Sequence, residues 1–315
     1  MPCLAIGARR LQIRRRAARG GGVKNVLVLI ANPAQPTLDA ALVQQAADAL
    51  HAAGATAGAP DWLADGIACD LPFDGPAADP ALPGIDAVVV PARARRKRLL
   101  VADMESTMIE NEMLDELAEF LGLRDRIAAI TARAMNGEID FAGALEERVG
   151  LLKGLPVTRL DEAARRIRYT PGGATLVATM RRHGAFCALV SGGFTYFTSM
   201  VRQALGFDID AANVLRHDGR TLVGSVEPPI LGKEAKLATL GRLCAERGVD
   251  VAETMTVGDG ANDLPMLQAA GLGVAFHAKP AVAAQVPARI SHGDLTALLY
   301  LQGYRRRDFV ETPNP

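Results

Sequence analysis

Short apolar runs that stop at polar or glycine-rich turns recur along the chain. Between them lie longer stretches with apolar residues three and four apart. That alternation predicts an α/β protein. Val23–Ala31 reads as a strand. Thr37 is placed to cap a helix running to about Ala53 and closed by Gly54, with Leu38, Ala41, Leu42, Ala46, Ala49 and Leu50 on its apolar face. Ala64–Phe73 and Ile85–Val90 predict further strands, separated by a Pro- and Gly-rich stretch, and residues 23–91 together predict a small α/β unit. The dense basic run Ala92–Arg98 (ARARRKR) reads as a solvated linker.

Leu99–Ala102 predicts a buried strand of a parallel sheet, and it stops at two carboxylates, Asp103 and Glu105. Four helical segments come next without a strand between them: Ile109–Leu121, Arg124–Met135, Phe141–Leu152 and Val157–Ile167. Consecutive helices at this point predict a bundle inserted into the α/β core over residues 108–170, placed as a lid. Alternation then resumes. A helix to His183 leads into the strand Ala185–Val190, which ends at Ser191-Gly192-Gly193. Asp218-Gly219 predicts a hairpin between Val214–Leu215 and Thr221–Val223. A helix over Lys233–Arg247 leads into the strand Glu253–Val257, which ends in Gly258-Asp259-Gly260-Ala261-Asn262-Asp263. Strands at Gly273–Phe276 and Ala288–Ile290 and a helix at Asp294–Leu301 complete a core made of residues 99–107 and 171–303, and the tail 304–315 is expected to fray.

Composition narrows the picture. Of 315 residues, 49% are hydrophobic, which allows a sizeable core, and the net charge is zero, which argues against nucleic acid or anionic lipid as a bulk electrostatic partner. The four cysteines form no C-x-x-C pair and read as reduced thiols, so a cytoplasmic location is expected. No apolar run reaches the ~20 residues that span a bilayer. Residues 1–22 hold six arginines and no acid, and read as a disordered tail.

Three strand ends therefore carry polar signatures: Asp103-x-Glu105, Ser191-Gly192-Gly193 and Gly258-Asp259-Gly260-x-x-Asp263, with Lys236 between the last two. Ligands in open α/β sheets bind beyond the carboxyl ends of the strands. A serine and free amides at a strand-to-helix turn suit phosphate oxygens, and clustered carboxylates suit Mg²⁺, a hard cation. Each segment alone is an ordinary loop, lysine or turn; the joint occurrence is specific. These four segments resemble the four motifs of the haloacid dehalogenase superfamily of aspartate-dependent phosphatases. Asp103–Glu116, with Met135-Asn136-Gly137, Phe141 and Glu147-Arg148-Val149, further resembles its phosphoserine phosphatase branch. The likeness runs from about Leu99 to Leu301.

The resemblance implies a Rossmann-like parallel-sheet core with an inserted helical-bundle cap. It implies Asp103 as the nucleophile that forms an aspartyl-phosphate, and Glu105 as the acid–base group. Asp103, the Glu105 carbonyl and Asp259 would hold Mg²⁺. Ser191, Gly192 and Lys236 would hold the phosphoryl oxygens, Asp263 would support the metal water or Lys236, and Asn262 would touch substrate. Glu112 and Arg148 would pair with the ammonium and carboxylate of phosphoserine, while Met135 and Phe141 close the pocket. One departure stands out: the family usually has Asp where this chain has Glu105, whose carboxylate must fold back to reach the same atom. Bacterial relatives often carry an N-terminal domain of the ACT type, so residues 23–91 are expected to be ACT-like and to bind an amino-acid effector; a homodimer is allowed. The expected reaction is hydrolysis of phosphoserine, the last step of serine biosynthesis. Rivals are another phosphomonoesterase or phosphotransferase of the superfamily, a slow-turnover phospho-aspartate regulatory protein, and an amino-acid-sensing protein built on residues 23–91. Glu112 and Arg148 speak against the first of these, Glu105 against the second, and the intact catalytic set against the third.

Overall fold

The first element of the computed structural model is β1 (Asn25–Ala31), which is buried on both faces. Residues 23–135 and 138–315 are described; the expectations for residues 1–22, for Asn136-Gly137 and for the Met135 side chain lie outside them. Alternation sorts β1 into two sets. Leu27, Leu29 and Ala31 pack with Val43, Ala46 and Leu50 of α1 (Ala40–Ala52), while Val26, Val28 and Ile30 enter the core shared with the rest of the chain. Asp39 caps α1, accepting from the Leu42 amide at 2.9 Å. Thr37 lies outside the helix, in a segment whose Leu38 amide donates to the Gly66 carbonyl at 3.0 Å.

β2 (Thr56–Ala57), β3 (Asp61–Ala64), β4 (Ala68–Asp74) and β5 (Ile85–Pro91) complete an antiparallel sheet in the order β2-β4-β1-β5, with β3 also paired to β4. The expected strand 64–73 is thus split. Gly66, at φ 71°, turns the chain so that β3 folds back on β4.

The core sheet is parallel. β6 (Leu99–Ala102) lies at its centre, and the cap helices come after it: α2 (Met113–Glu119), α3 (Arg124–Met135), α4 (Phe141–Gly150) and α5 (Thr158–Ala164). Next are α6 (Gly173–Arg182), β7 (Phe186–Phe194), α7 (Thr195–Leu205) and β8 (Ile209–Asn213). β9 (Leu215–His217) and β10 (Leu222–Val226) form the expected hairpin. α8 (Lys233–Arg247), β11 (Thr254–Gly258), α9 (Leu264–Ala269), β12 (Leu272–Phe276), α10 (Pro280–Ala283), β13 (Ala288–Ile290) and α11 (Ala297–Leu301) complete the chain, giving the order β13-β12-β11-β6-β7-β8. Leu99 and Val101 face α8, and Leu100 and Ala102 face the larger core, so every residue of β6 is buried. That is why this strand reads as a continuous apolar run.

The cap departs from expectation at its root. α2 starts at Met113, not Ile109, because Ile109 bridges Tyr169 and the Glu110 amide donates to the Arg168 carbonyl at 2.8 Å. The buried Asn111 locks the two connecting segments, accepting from the Arg168 amide and donating to Glu116. β10 then grips the far end of the cap: the Gly154 amide donates to Leu222, and the Leu222 amide to Leu155.

The basic run is exposed over Arg93, Arg96 and Arg98, as a solvated linker would be, but it also anchors the two units to each other. Arg95 pairs with Asp70 of β4, also donating to the carbonyls of Tyr300 and Leu301 at 2.8 and 3.0 Å. Arg96 stacks on Tyr304, Lys97 donates to the Ala252 carbonyl, and Arg98 pairs with Glu253. The tail is likewise docked rather than frayed: Arg305 pairs with Asp61, Phe309 is buried, and the Val310 amide donates to Thr179. The anchoring of both segments escaped the sequence for one reason. The partners lie far away in the sequence and cannot be read from local charge density. Burial outweighs the guanidinium and holds the Asp70 carboxyl above the usual range. Arg95→Ala, which strands Asp70 in this interface, is expected to cost about 3 kcal/mol in urea unfolding, whereas Arg98→Ala at an exposed pair should cost under ~1 kcal/mol. Equal costs would refute the anchoring role of Arg95.

Candidate active site

β6 continues to β7 and β8 on one side, while β11, β12 and β13 extend the other. The strand order therefore reverses between the parallel neighbours β6 and β11, which pair with Ala102 opposite Val257. A crevice opens at such a switch point, at the carboxyl ends of the strands. Asp103 is the first residue beyond β6, and Asp259 the first beyond β11. Ser191 stands two residues past Leu189, the partner of Ala102 on β7. Three signatures far apart in the sequence meet in this way because parallel strands share a direction.

Asp103 is tied on several sides. Its amide donates to the Val257 carbonyl at 3.0 Å, and one carboxylate oxygen accepts from the Met104 amide at 2.8 Å. The Lys236 ammonium lies 2.6 Å from the same oxygen and 2.5 Å from Oδ1 of Asp263. Asp263 also accepts from the Gly260 amide at 3.0 Å and is fully buried. Burial disfavours the charge on Lys236, but Asp103 and Asp263 outweigh it and hold the ammonium above its ordinary pKa. Burial, then repulsion from Asp263, pushes Asp103 well up, and the same two causes raise Asp259 to about 6. Carboxylate oxygens of Asp103, Asp259 and Asp263 all lie within 4.8 Å of one another. Lys236 pairs with Asp103 and Asp263 but not with Asp259, so the donor set fits an oxygen-seeking cation. Asp263 is already engaged by Lys236 and Gly260, which leaves Asp103 and Asp259 as the freer ligands.

Glu105 does fold back. One carboxylate oxygen accepts from the Met113 amide at 2.8 Å, at the root of the cap. The other lies so near Gly193 that a Cβ there would stand 2.7 Å away. The extra methylene is thus accommodated over a glycine. Burial, then repulsion from Glu112, raises Glu105 to about 8. Ser106 holds φ 53°, a left-handed conformation that a serine adopts at a cost, and donates to Glu112 at 2.7 Å. Glu112 is the N-cap residue of α2, in extended backbone.

A cavity of about 520 Å³ lies between cap and core. Asp103, Glu105, Ser191, Gly192, Asp259 and Asn262 line its core side; Glu112, Phe141 and Arg148 line its cap side. Lys236 and Asp263 stand directly behind Asp103. The Phe141 ring covers Gly192, where a Cβ would lie 3.1 Å from the ring edge. Arg148 donates to the Ala144 carbonyl at 3.1 Å and reaches Thr131 at 3.5 Å; it forms no ion pair among the described residues. Burial lowers its pKa, the acids Glu105, Asp115 and Glu112 opposing that.

Sequence reasoning missed Asn213, Lys233 and Lys279. Buried Asn213 donates to the Gly192 carbonyl at 2.8 Å and accepts from the Leu231 amide at 2.8 Å, tying the cavity-lining Gly192 to the segment before α8. It ends β8, an apolar-polar strand (IDAAN) that gave no signal. Lys233 and Lys279 line the cavity and look like surface lysines in the sequence. For Lys279 the signal was its position before Pro280, just past an apolar strand.

The sequence pattern of the haloacid dehalogenase-like hydrolases matches residues 100–268. Phosphoserine phosphatase of Streptomyces coelicolor is 42% identical over 235 residues, covering 74% of this chain and 57% of that protein, so the chain spans little more than half of that relative's length. A solved probable phosphoserine phosphatase from Vibrio cholerae is 28% identical with a TM-score of 0.75, over 90% of this chain and 88% of that one. A phospho-aspartyl intermediate analogue of a phosphoserine phosphatase is 36% identical with a TM-score of 0.61, over 65% of this chain and 98% of that one. With these likenesses joined to the geometry of β6, β7, α8 and β11, the chain belongs to the haloacid dehalogenase-like hydrolase family.

Proposed function

We propose that the protein is a phosphoserine phosphatase, hydrolysing O-phospho-L-serine to serine and phosphate through an aspartyl-phosphate on Asp103. The observation that carries the reading is one cavity with Asp103 against Lys236 on its core side and Arg148, free of ion pairs among the described residues, on its cap side. In the first step an Asp103 carboxylate oxygen attacks phosphorus, the P–O(serine) bond breaks, and Glu105 gives its proton to the departing alkoxide. A carboxyl held near 8 carries that proton at neutral pH. In the second step water attacks the phosphorus, Glu105 takes the water's proton, and the bond to Asp103 breaks to release phosphate. Lys236, the Ser191 hydroxyl and the Gly192 amide hold the phosphoryl oxygens throughout, and Asp263 keeps Lys236 charged and in place. Mg²⁺, held by Asp103, the Glu105 carbonyl and Asp259, would neutralise charge on the phosphoryl group. Asn262 would contact the substrate. Glu112 takes the substrate ammonium, and Arg148 its carboxylate as a bidentate fork. Phe141 shields the phosphoryl site from water.

This reading treats residues 108–170 as the cap, 99–107 with 171–303 as the catalytic core, and 23–91 as a regulatory unit. An amino-acid effector would find room in a cavity of about 290 Å³ beside His51 and Trp62. The test is a phosphate-release panel over phosphorylated metabolites with and without Mg²⁺, paired with Arg148→Ala. The variant is expected to lose about 100-fold in kcat/KM for L-phosphoserine, mostly in KM, and less than about threefold for p-nitrophenyl phosphate, which has no carboxylate. Equal losses on both substrates would remove Arg148 from carboxylate recognition.

A further inference from the structure

Asp86, the second residue of β5, sends its carboxylate out of the N-terminal sheet and into the catalytic core. The Ser291 amide donates to one oxygen at 2.7 Å and the Gly293 amide to the other at 2.8 Å. The His292 amide lies between both, at 3.2 and 3.1 Å. Asp86 is 5% exposed, and these three backbone amides hold its carboxylate, which has no partner among the described ion pairs. The Gly293 carbonyl in turn faces His277 Nε2 at 2.8 Å, so that ring nitrogen carries the proton. His277 holds φ 43°, a left-handed conformation, and its amide donates to the Ile290 carbonyl at 2.8 Å. A residue stays in such a conformation only when its surroundings over-determine it. Two residues on, Lys279 lines the candidate active site. Its amide donates to the Asp259 carbonyl at 3.3 Å, and its carbonyl accepts from Val282 at the start of α10.

We propose that Asp86 is a positioning residue for the active site: by gripping the 291–293 backbone it fixes His277, and His277 fixes the segment that presents Lys279 to the cavity. The N-terminal unit is then mechanically part of the site, although it contributes no side chain to the cavity. Lys279 lies beside Asp259, apart from the cap residues Glu112 and Arg148, so the effect should fall on any phosphate monoester equally. Read through turnover, this inference rests on the phosphatase reading above.

The test combines kinetics with amide hydrogen exchange on the full chain. Asp86→Ala is expected to raise KM about tenfold for both L-phosphoserine and p-nitrophenyl phosphate, unlike Arg148→Ala. Lys279→Met should do the same, and the double variant should be no worse than the worse single, since both act through one element. Exchange should quicken over residues 277–283 and stay unchanged over 103–109. Unchanged exchange over 277–283, additive effects in the double variant, or a fall in melting temperature with KM unaltered would each overturn the proposal. If Asp86→Ala does not fold, His277→Asn carries the same test, because Asn tolerates the left-handed backbone while the bond to Gly293 is lost. If the unsubstituted protein releases no phosphate from any ester, the phosphatase reading falls and exchange over 277–283 alone decides the role of Asp86.

Discussion

Asp103→Asn should abolish phosphate release, a loss of at least ~10⁴-fold, because an amide oxygen is a far weaker nucleophile than a carboxylate and the two acids clustered with it have other tasks. Asp263 is fully buried and held by Lys236 and the Gly260 amide, and Asp259 lies beyond a different strand. The loss is chemical rather than structural. The carbonyl of the substituted side chain can still accept from the Met104 amide and from Lys236, as Oδ1 of Asp103 does at 2.8 and 2.6 Å. Removing one of three clustered acids also relieves repulsion, so the melting temperature should stay level or rise. The variant should accumulate no acid-stable label from ³²P-phosphoserine, whereas the unsubstituted protein, quenched in acid, should carry one phosphoryl group per chain. Turnover within tenfold of the unsubstituted protein would exclude the covalent route.

The core of this site was legible because its parts obey local rules. A run such as Leu99–Ala102, buried on both faces, announces a central parallel strand, and the residues just past its carboxyl end lie at the ligand-binding edge. Helix α8 was legible to the residue: Gly248 closes it in the left-handed conformation, and Gly232 precedes it. The parts that stayed hidden depend on contacts between distant segments. Arg95 looks like one charge in a basic run until Asp70 and the carbonyls of α11 are brought to it. Asp86 interrupts an apolar strand (IDAVVV), a mark of a polar group with a buried task, but its donors lie 205 to 207 positions away. The Ile109–Leu121 segment has helical periodicity throughout, yet the pairing of Ile109 with Tyr169 overrides it for the first four residues. Periodicity states what a segment can do alone; the partner decides.

Glu105→Gln separates the two steps of the reaction. Glutamine keeps an oxygen for the Met113 amide, the bond that Glu105 makes at 2.8 Å, and it fills the same space over Gly193. It lacks the proton to give and the carboxylate to receive one. On L-phosphoserine, whose alkoxide leaves poorly, kcat should fall by about 10²–10⁴-fold. p-Nitrophenolate leaves without a proton, so with p-nitrophenyl phosphate the first step should survive while hydrolysis of the aspartyl-phosphate slows. The expected signature is a burst of about one p-nitrophenol per active site and then slow turnover. The pH profile supplies the sign. A donor raised to about 8 is protonated below that pH, so the phosphorylation step on phosphoserine should be lost as pH rises through it, and the Gln variant should lack that limb. Glu105→Asp keeps the proton but withdraws it by one methylene from Gly193, and should retain activity within about tenfold. Equal slowing on both substrates with no burst would place Glu105 among the groups that shape the pocket, and would leave the departing serine oxygen to another donor.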